Sequence, residues 1–392
     1  MTATLPLSGL RVIDLSRLLP GPYATLVLAD MGAEVIKLEA PRGGDYLRAF
    51  PPSLEGSKYG ARFGALNTDK KSIAVDLKKP EGVAVARKLI LSADIVVESF
   101  RPGVMDRLGL GYEALKAEHP GLIFCAISGY GQDGPYTHRA GHDLNYVGMA
   151  GVMAFAGPAD GPPQLPAVQV ADIGAGALWP LIGILSALHA RHSTGQGALI
   201  DASMTDGSLG FLQMELAEFL TKGTVPPRGE NMLTGGQSCY GVYETSDGGY
   251  MTVGALEPKF WAAFCKAVER PDLMARHLGT IEKTTATRGI LEELFKTKTR
   301  AEWEAVFATV EACVEPVLMP DELVDHPLHV ARKNVIEDDR GMRRIRTPMR
   351  PRDAAAPKRA PELGEHTRAL LAEAGYDDAA IDTLYAGKVV AG

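Results

Sequence analysis

Between residues 10 and 128 short apolar strand patterns alternate with helix-period segments, and this alternation restricts the chain to a parallel sheet covered by helices on both faces. LRVIDL at 10–15 reads as a buried strand, and Pro20-Gly21-Pro22 opens an apolar-periodic helix that runs to about Met31 and closes at Gly32. EVIKLE at 34–39, DIVVES at 94–99 and LIFCAIS at 122–128 are further strands, with helices expected near 80–92 and 112–118. Residues 40–68 read as a long loop rich in Gly, Pro and Arg, and loops of that length are usually functional.

An apolar helix is expected over 174–192, a strand over 198–204 and a helix over 206–221. The texture then changes. Two strands flank the turn Ser246-Asp247-Gly248-Gly249, and helices follow near 258–268, 285–296 and 300–310. The expected fold is therefore α/β, with a Rossmann-like large domain over 1–204, a linker over 205–230 and a smaller α+β domain over 231–330. The segment 331–392 is expected to return to the large domain. A chain of 392 residues is long enough for two cores.

A net charge of −7 provides no overall field for nucleic acid or an anionic membrane surface, so any anionic ligand needs local basic groups. Cys125, Cys239, Cys265 and Cys313 lie far apart without zinc or CxxC spacing, which reads as reduced, buried thiols in a cytoplasmic protein. No signal pattern opens the chain, and no run approaches the roughly 20 apolar residues of a membrane span.

The chemistry-bearing positions sit in glycine-rich settings. His142, in AGHDLNYVGMAG, is either a loop histidine held by hydrogen bonds or an acid–base group that small neighbours leave open to substrate. Asp143 either orients that ring or caps the next helix. Asp172 precedes an apolar helix, where it is a cap or a carboxylate beside amides able to hold an oxyanion. Glu257-Pro258 has the form of a cap followed by proline, or of a carboxylate delivered to a domain junction with a raised pKa. GxGxxG at Gly129, Gly131 and Gly134 follows a strand, but Pro135 comes next and no apolar helix begins there, so a glycine-rich turn near a ligand is the preferred reading over a nicotinamide site. HxxH pairs at 189/192 and 326/329 lack a third ligand, so no metal site is expected. Arg17, Lys37, Arg101 and Arg107 fall near strand ends, where a group of cations suits a nucleotide diphosphate.

The segments LSGLRVIDLSRLLPGPYATLVLADMGAEVIKLE, ESFRPGVMDRLGLGYEAL and GHDLNYVGMAGV resemble the class III CoA-transferase superfamily of the CaiB/BaiF type. Within it, His142, Asp172 and Glu257 match the catalytic residues of alpha-methylacyl-CoA racemases. The resemblance implies an interlocked homodimer and CoA contacts at Arg17–Leu18, Lys37, Ile73–Ala74–Val75, Ser99–Phe100–Arg101, Arg107 and Asp143. It also implies a 1,1-proton transfer on a 2-methylacyl-CoA thioester that needs no cofactor beyond the CoA of the substrate. Val168 stands where racemases carry Asn, and Thr234-Gly235-Gly236-Gln237 departs from their DGGA. The alternative is a CoA-transferase using Asp172 as nucleophile.

Overall fold

A computed structural model describes residues 5–225 and 227–392. The chain divides into two compact units. The first comprises the chain through Ala150, then Val168–Gly210 and Pro327–Gly392; the second comprises Gly151–Ala167 and Phe211–His326. Two features differ from the expected boundaries. The chain enters the second unit briefly at 151–167, and the expected linker divides at Gly210, its first part staying with the large unit.

Six strands of the first unit, β1 (Arg11–Asp14), β2 (Glu34–Glu39), β3 (Lys70–Val75), β4 (Ile95–Glu98), β5 (Ile123–Ser128) and β6 (Leu199–Ser203), run parallel in the order 3-2-1-4-5-6. The order reverses between β1 and β4, so the loops leaving these two strands diverge and open a crevice at their carboxyl ends. Val12, Ile13, Ile36, Val96 and Ile123 are fully buried, as expected of strands covered on both faces.

The turn after β1 is shaped by close approaches. A Cβ on Gly21 would sit 2.1 Å from the Cβ of Ser16, so only glycine permits this entry into the Pro20–Asp30 helix. Leu18 adopts a left-handed φ of 63°. Its N–H donates to Asp45 Oδ1 at 3.1 Å, which holds a conformation that non-glycine residues otherwise avoid.

The strand β3 was not expected from its sequence, KKSIAV, because two lysines open it. Lys70 is nevertheless buried, its Nζ 3.3 Å from Asp14 Oδ2. The expected loop at 40–68 also contains a short 3-10 turn at Tyr46–Ala49 and a helix at Ala61–Asn67. Gly60 starts that helix so close to Phe50 O that a Cβ would lie 1.8 Å from it.

The expected helix at 174–192 begins earlier, at Val170, and is a wide π-helix through Leu178 before becoming α over Trp179–Thr194. Trp179 N–H accordingly donates to Gly174 O, five residues back. Gly176 permits contact here, since a Cβ would fall 2.8 Å from Pro20 and 2.9 Å from Met204. Contrary to the sequence reading, Val170–Thr194 is long and apolar enough by composition to cross a membrane. Ala171, Ala175, Ala177, Leu181, Ile184 and Ala187 along it are buried. The expected helix at 206–221 is two pieces, Met204–Gly210 and Ala217–Lys222, separated where the units divide.

In the second unit β7 (Tyr240–Glu244), β8 (Tyr250–Gly254) and β9 (Val314–Pro316) form an antiparallel sheet, with Thr245 N–H bonded to Gly249 O across the expected turn. The helices Pro258–Ala267, Ile281–Phe295 and Arg300–Phe307 contribute to a separate aromatic core of Trp261, Phe264, Phe295, Trp303 and Phe307. Both indoles are satisfied, Trp261 Nε1 by Leu273 O and Trp303 Nε1 by Phe295 O. The chain then forms a hairpin, β10 (Val335–Glu337) with β11 (Arg343–Ile345), and ends in β12 (Val390–Ala391), antiparallel to β3. Leu370, Leu371, Ile381 and Leu384 pack into the core of the large sheet, so the C-terminal segment completes the first unit.

Candidate active site

The switch-point crevice holds a cavity of about 370 Å³ built entirely from the first unit. Arg17 and Leu18 reach it from the β1 turn, and Ser99, Phe100 and Arg101 from the β4 turn. The two turns are joined by Arg17 N–H donating to Ser99 Oγ at 3.2 Å. The Arg17 guanidinium lies 5.3 Å from the centre of the Phe100 ring and 5.6 Å from that of Tyr46, so aromatic faces orient this cation.

His142 and Asp172 line this same cavity. His142 stands at the N-cap of the Asp143–Met149 helix, where its N–H donates to Asn145 Oδ1 at 3.0 Å, and the residue is exposed. Asp172 is not a cap: it lies within the first turn of the π-helix, after Gln169 at the N-cap position. Burial, followed by the charge of Asp143, raises its carboxyl to about 7. Near neutral pH this group is divided between acid and base forms, which suits reversible proton transfer.

Asp143 is not among the cavity residues. Its Oδ1 accepts N–H bonds from Ala171 at 2.7 Å and Asp172 at 3.0 Å. This corrects two expectations. Asp143 caps the start of the π-helix rather than its own helix, and it turns toward these amides rather than toward a ligand or the His142 ring.

Lys37 is also corrected as a ligand contact. It lies within β2 and is fully buried, with Nζ 3.0 Å from Asp45 Oδ2, 3.9 Å from Asp14 Oδ2 and bonded to Ser16 O at 2.9 Å. Burial alone would raise Asp14, but Lys37 and Lys70 outweigh it and hold that carboxyl at about 2. Burial lowers Lys70 to about 8. This ionic cluster supports the β1 turn from below and presents no cation to phosphate. Ile73, Ala74 and Val75 are likewise buried inside β3, and β12 pairs along Ala74 and Val75, so their side chains face the core.

Glu257 belongs to the second unit. It is the exposed N-cap residue of the Pro258–Ala267 helix, and its side chain makes no capping bond. Cys313 is exposed, unlike the other three cysteines, which are buried.

Several cavity residues carried no signal in the sequence reading. Tyr146 is four residues after His142 on the same helix, and its hydroxyl donates to Gly141 O at 2.5 Å. Burial, then Tyr130 and Asp172, raises its phenol to about 12. Gly129 and Gly141 exist for this ring, since a Cβ on either would lie 2.4 Å or 2.6 Å from Tyr146 Cε1. Arg139 adds a third cation to the cavity wall, stacked 3.8 Å from the Tyr136 ring.

A second cavity of about 630 Å³ adjoins the first through Arg101, Pro102 and Thr137, and Arg107 lines it with Glu98, Gln132 and His138. Burial raises Glu98 to about 8, against an N–H bond from Phe100. Among the described residues no group of three or more His, Cys, Asp or Glu side chains is placed to hold a metal ion.

The fold and cavity define a doubly wound α/β protein with a histidine, a carboxyl and a cationic wall at its switch point. The chain matches CoA-transferase family III over residues 7–367 and belongs to that family of enzymes. It is 36% identical over 397 residues to alpha-methylacyl-CoA racemase of Homo sapiens, an alignment covering 98% of this chain and 97% of the relative. It is 32% identical over 403 residues to succinyl-CoA:glutarate CoA-transferase of Mus musculus, covering 98% and 90%. The crystal structure of a CaiB/BaiF family protein from Brucella suis has a TM-score of 0.83 at 34% identity, covering 95% of this chain and all of that one.

Proposed function

We propose that the protein is a racemase or epimerase of 2-methylacyl-CoA thioesters. The observation that carries this reading is a carboxyl raised to about 7 in the same cavity as an imidazole, which puts two proton-transfer groups at one site. A neutral His142 takes the α-proton on one face while protonated Asp172 donates to the other. The resulting imidazolium and carboxylate are the starting state for the reverse direction. The intermediate is an enolate whose negative oxygen faces a wall that includes Arg17, Arg101 and Arg139. The same arginines, with Arg107 in the adjoining cavity, suit the phosphates of CoA.

In the transferase alternative the Asp172 carboxylate attacks the donor acyl carbon and CoA thiolate leaves; the thiolate then attacks the aspartyl carbonyl of the anhydride, expelling the donor carboxylate and forming an aspartyl-CoA thioester. The acceptor carboxylate repeats the two steps in reverse to leave as acyl-CoA and regenerate Asp172. That route needs the ionised carboxylate, which a carboxyl raised to about 7 supplies only in part at neutral pH.

A second copy of the chain belongs to the proposal. The family resemblance implies an interlocked homodimer in which Glu257 supports His142, and Leu178, Ile182 and Leu199 are exposed apolar side chains that such an interface could cover. We further propose that the enzyme works in the cytoplasm.

The experiment is incubation with a 2-methylacyl-CoA in deuterium oxide without an acceptor acid. The proposal expects α-hydrogen exchange. Absence of exchange, together with CoA transfer to a free carboxylate, overturns it in favour of transfer.

A further inference from the structure

We propose that Asp143 is a positioning residue for Asp172, its carboxylate gripping the amides at the start of the π-helix and so fixing both the place and the charge environment of the proton-transferring carboxyl. This rests on the reading of Asp172 as an acid–base group.

The geometry is specific. A single oxygen, Asp143 Oδ1, accepts from two successive amides, Ala171 at 2.7 Å and Asp172 at 3.0 Å. These are among the orphan donors of a helix start, and here a carboxylate from another helix satisfies them. The clamp joins two segments that reach the cavity separately, one carrying His142 and the other Asp172. Because His142 and Asp143 are adjacent in the chain, the grip also ties the imidazole-bearing loop to the carboxyl-bearing turn. The π-helix leaves the backbone here in a wide turn whose start is otherwise unanchored by a side-chain cap.

The clamp also places like charge beside Asp172, and this second contribution, after burial, raises the carboxyl. Tyr146 comes from the Asp143 helix, and Arg17, Arg101, Arg139 and His142 share the cavity wall. The remaining ionisable groups on packed elements are Tyr23 and Asp30 of the Pro20–Asp30 helix, Asp201 of β6, Asp206 of the Met204–Gly210 helix, and His189, Arg191 and His192 of the Trp179–Thr194 helix. The charge acting on Asp172 comes from Asp143 rather than from these.

Two variants separate the two contributions. D143N keeps an oxygen for both amides and removes the charge; D143A removes both. The Asp172 carboxyl is followed by carbon NMR in protein labelled at aspartate and assigned with D172N, and α-proton exchange is followed as a pH–rate profile.

In D143N the Asp172 titration and the matching limb of the profile are expected to move to lower pH by roughly one unit, with maximal kcat within about fivefold of wild type. In D143A kcat is expected to fall about 100-fold with little change in KM, because the carboxyl loses its placement while thioester binding persists. An unmoved Asp172 titration in D143N, or a D143A variant that raises KM at constant kcat, overturns the proposal. If wild-type protein shows no exchange, the proton-transfer reading fails on its own, and the NMR titration still decides whether Asp143 acts on Asp172.

Discussion

Replacing Asp172 with Asn should stabilise the folded chain above neutral pH, and the structure gives the size. An ordinary aspartate titrates near 3.9, whereas here burial, then the Asp143 charge, raises the carboxyl to about 7. The folded state therefore holds its proton more tightly than the unfolded state between about pH 4 and pH 7. Stability from this group is fully present below the unfolded value and is lost as pH rises through the folded one. Three units at about 1.4 kcal/mol each set a ceiling of about 4 kcal/mol, and residual contact with solvent reduces the expectation to about 2 kcal/mol. Asn cannot ionise, so D172N should match wild type near pH 4 and exceed it by about 2 kcal/mol at pH 8. Glu98, also raised, occurs in both proteins and cancels in the difference. Paired urea-unfolding curves at a series of pH values measure this. A D172N advantage that does not grow between pH 4.5 and pH 8 would refute the reasoning.

Other outcomes follow from the same geometry. Lys37→Ala should cost about 3 kcal/mol in urea unfolding by stranding buried Asp45 without its cation and leaving Asp14 with Lys70 alone, which loss of a surface phosphate contact would not do. Arg101→Ala, at the junction of the two cavities, should weaken CoA binding roughly tenfold in calorimetry while leaving the unfolding midpoint nearly unchanged. Gly129→Ala places a Cβ 2.4 Å from Tyr146 Cε1, so about 1–3 kcal/mol of stability should be lost together with at least tenfold in kcat. Trp303→Ala should cost about 3–5 kcal/mol in unfolding monitored from the second unit.

The parallel sheet was legible because β1, β2, β4 and β5 are buried on both faces and are written as nearly continuous apolar runs. β3 was hidden because Lys70 neutralises its charge inside the protein, against Asp14, which no local pattern announces. Lys37 misled for the same reason: from sequence, a lysine in a strand near a nucleotide-type turn looks like a ligand, whereas its partners come from β1 and from the loop after β2. His142 and Asp172 stood out by their small neighbours, and the fold brings both to one cavity. The role of Asp143 was not legible, since the amides it grips are 28 and 29 residues away. Tyr146 could have been found from its helical spacing to His142 and from the glycines at 129 and 141 that make room for its ring.

The most direct test of two opposed proton-transfer groups in one cavity is epimer-resolved exchange. Each separated 2-methylacyl-CoA epimer is incubated in deuterium oxide with wild type, H142A or D172N, and α-hydrogen loss is followed by proton NMR. The account predicts that wild type exchanges both epimers, while each variant retains exchange of one epimer only, and a different one in each case. Loss of the same epimer's exchange in both variants, or unimpaired exchange of both epimers by either variant, would contradict it.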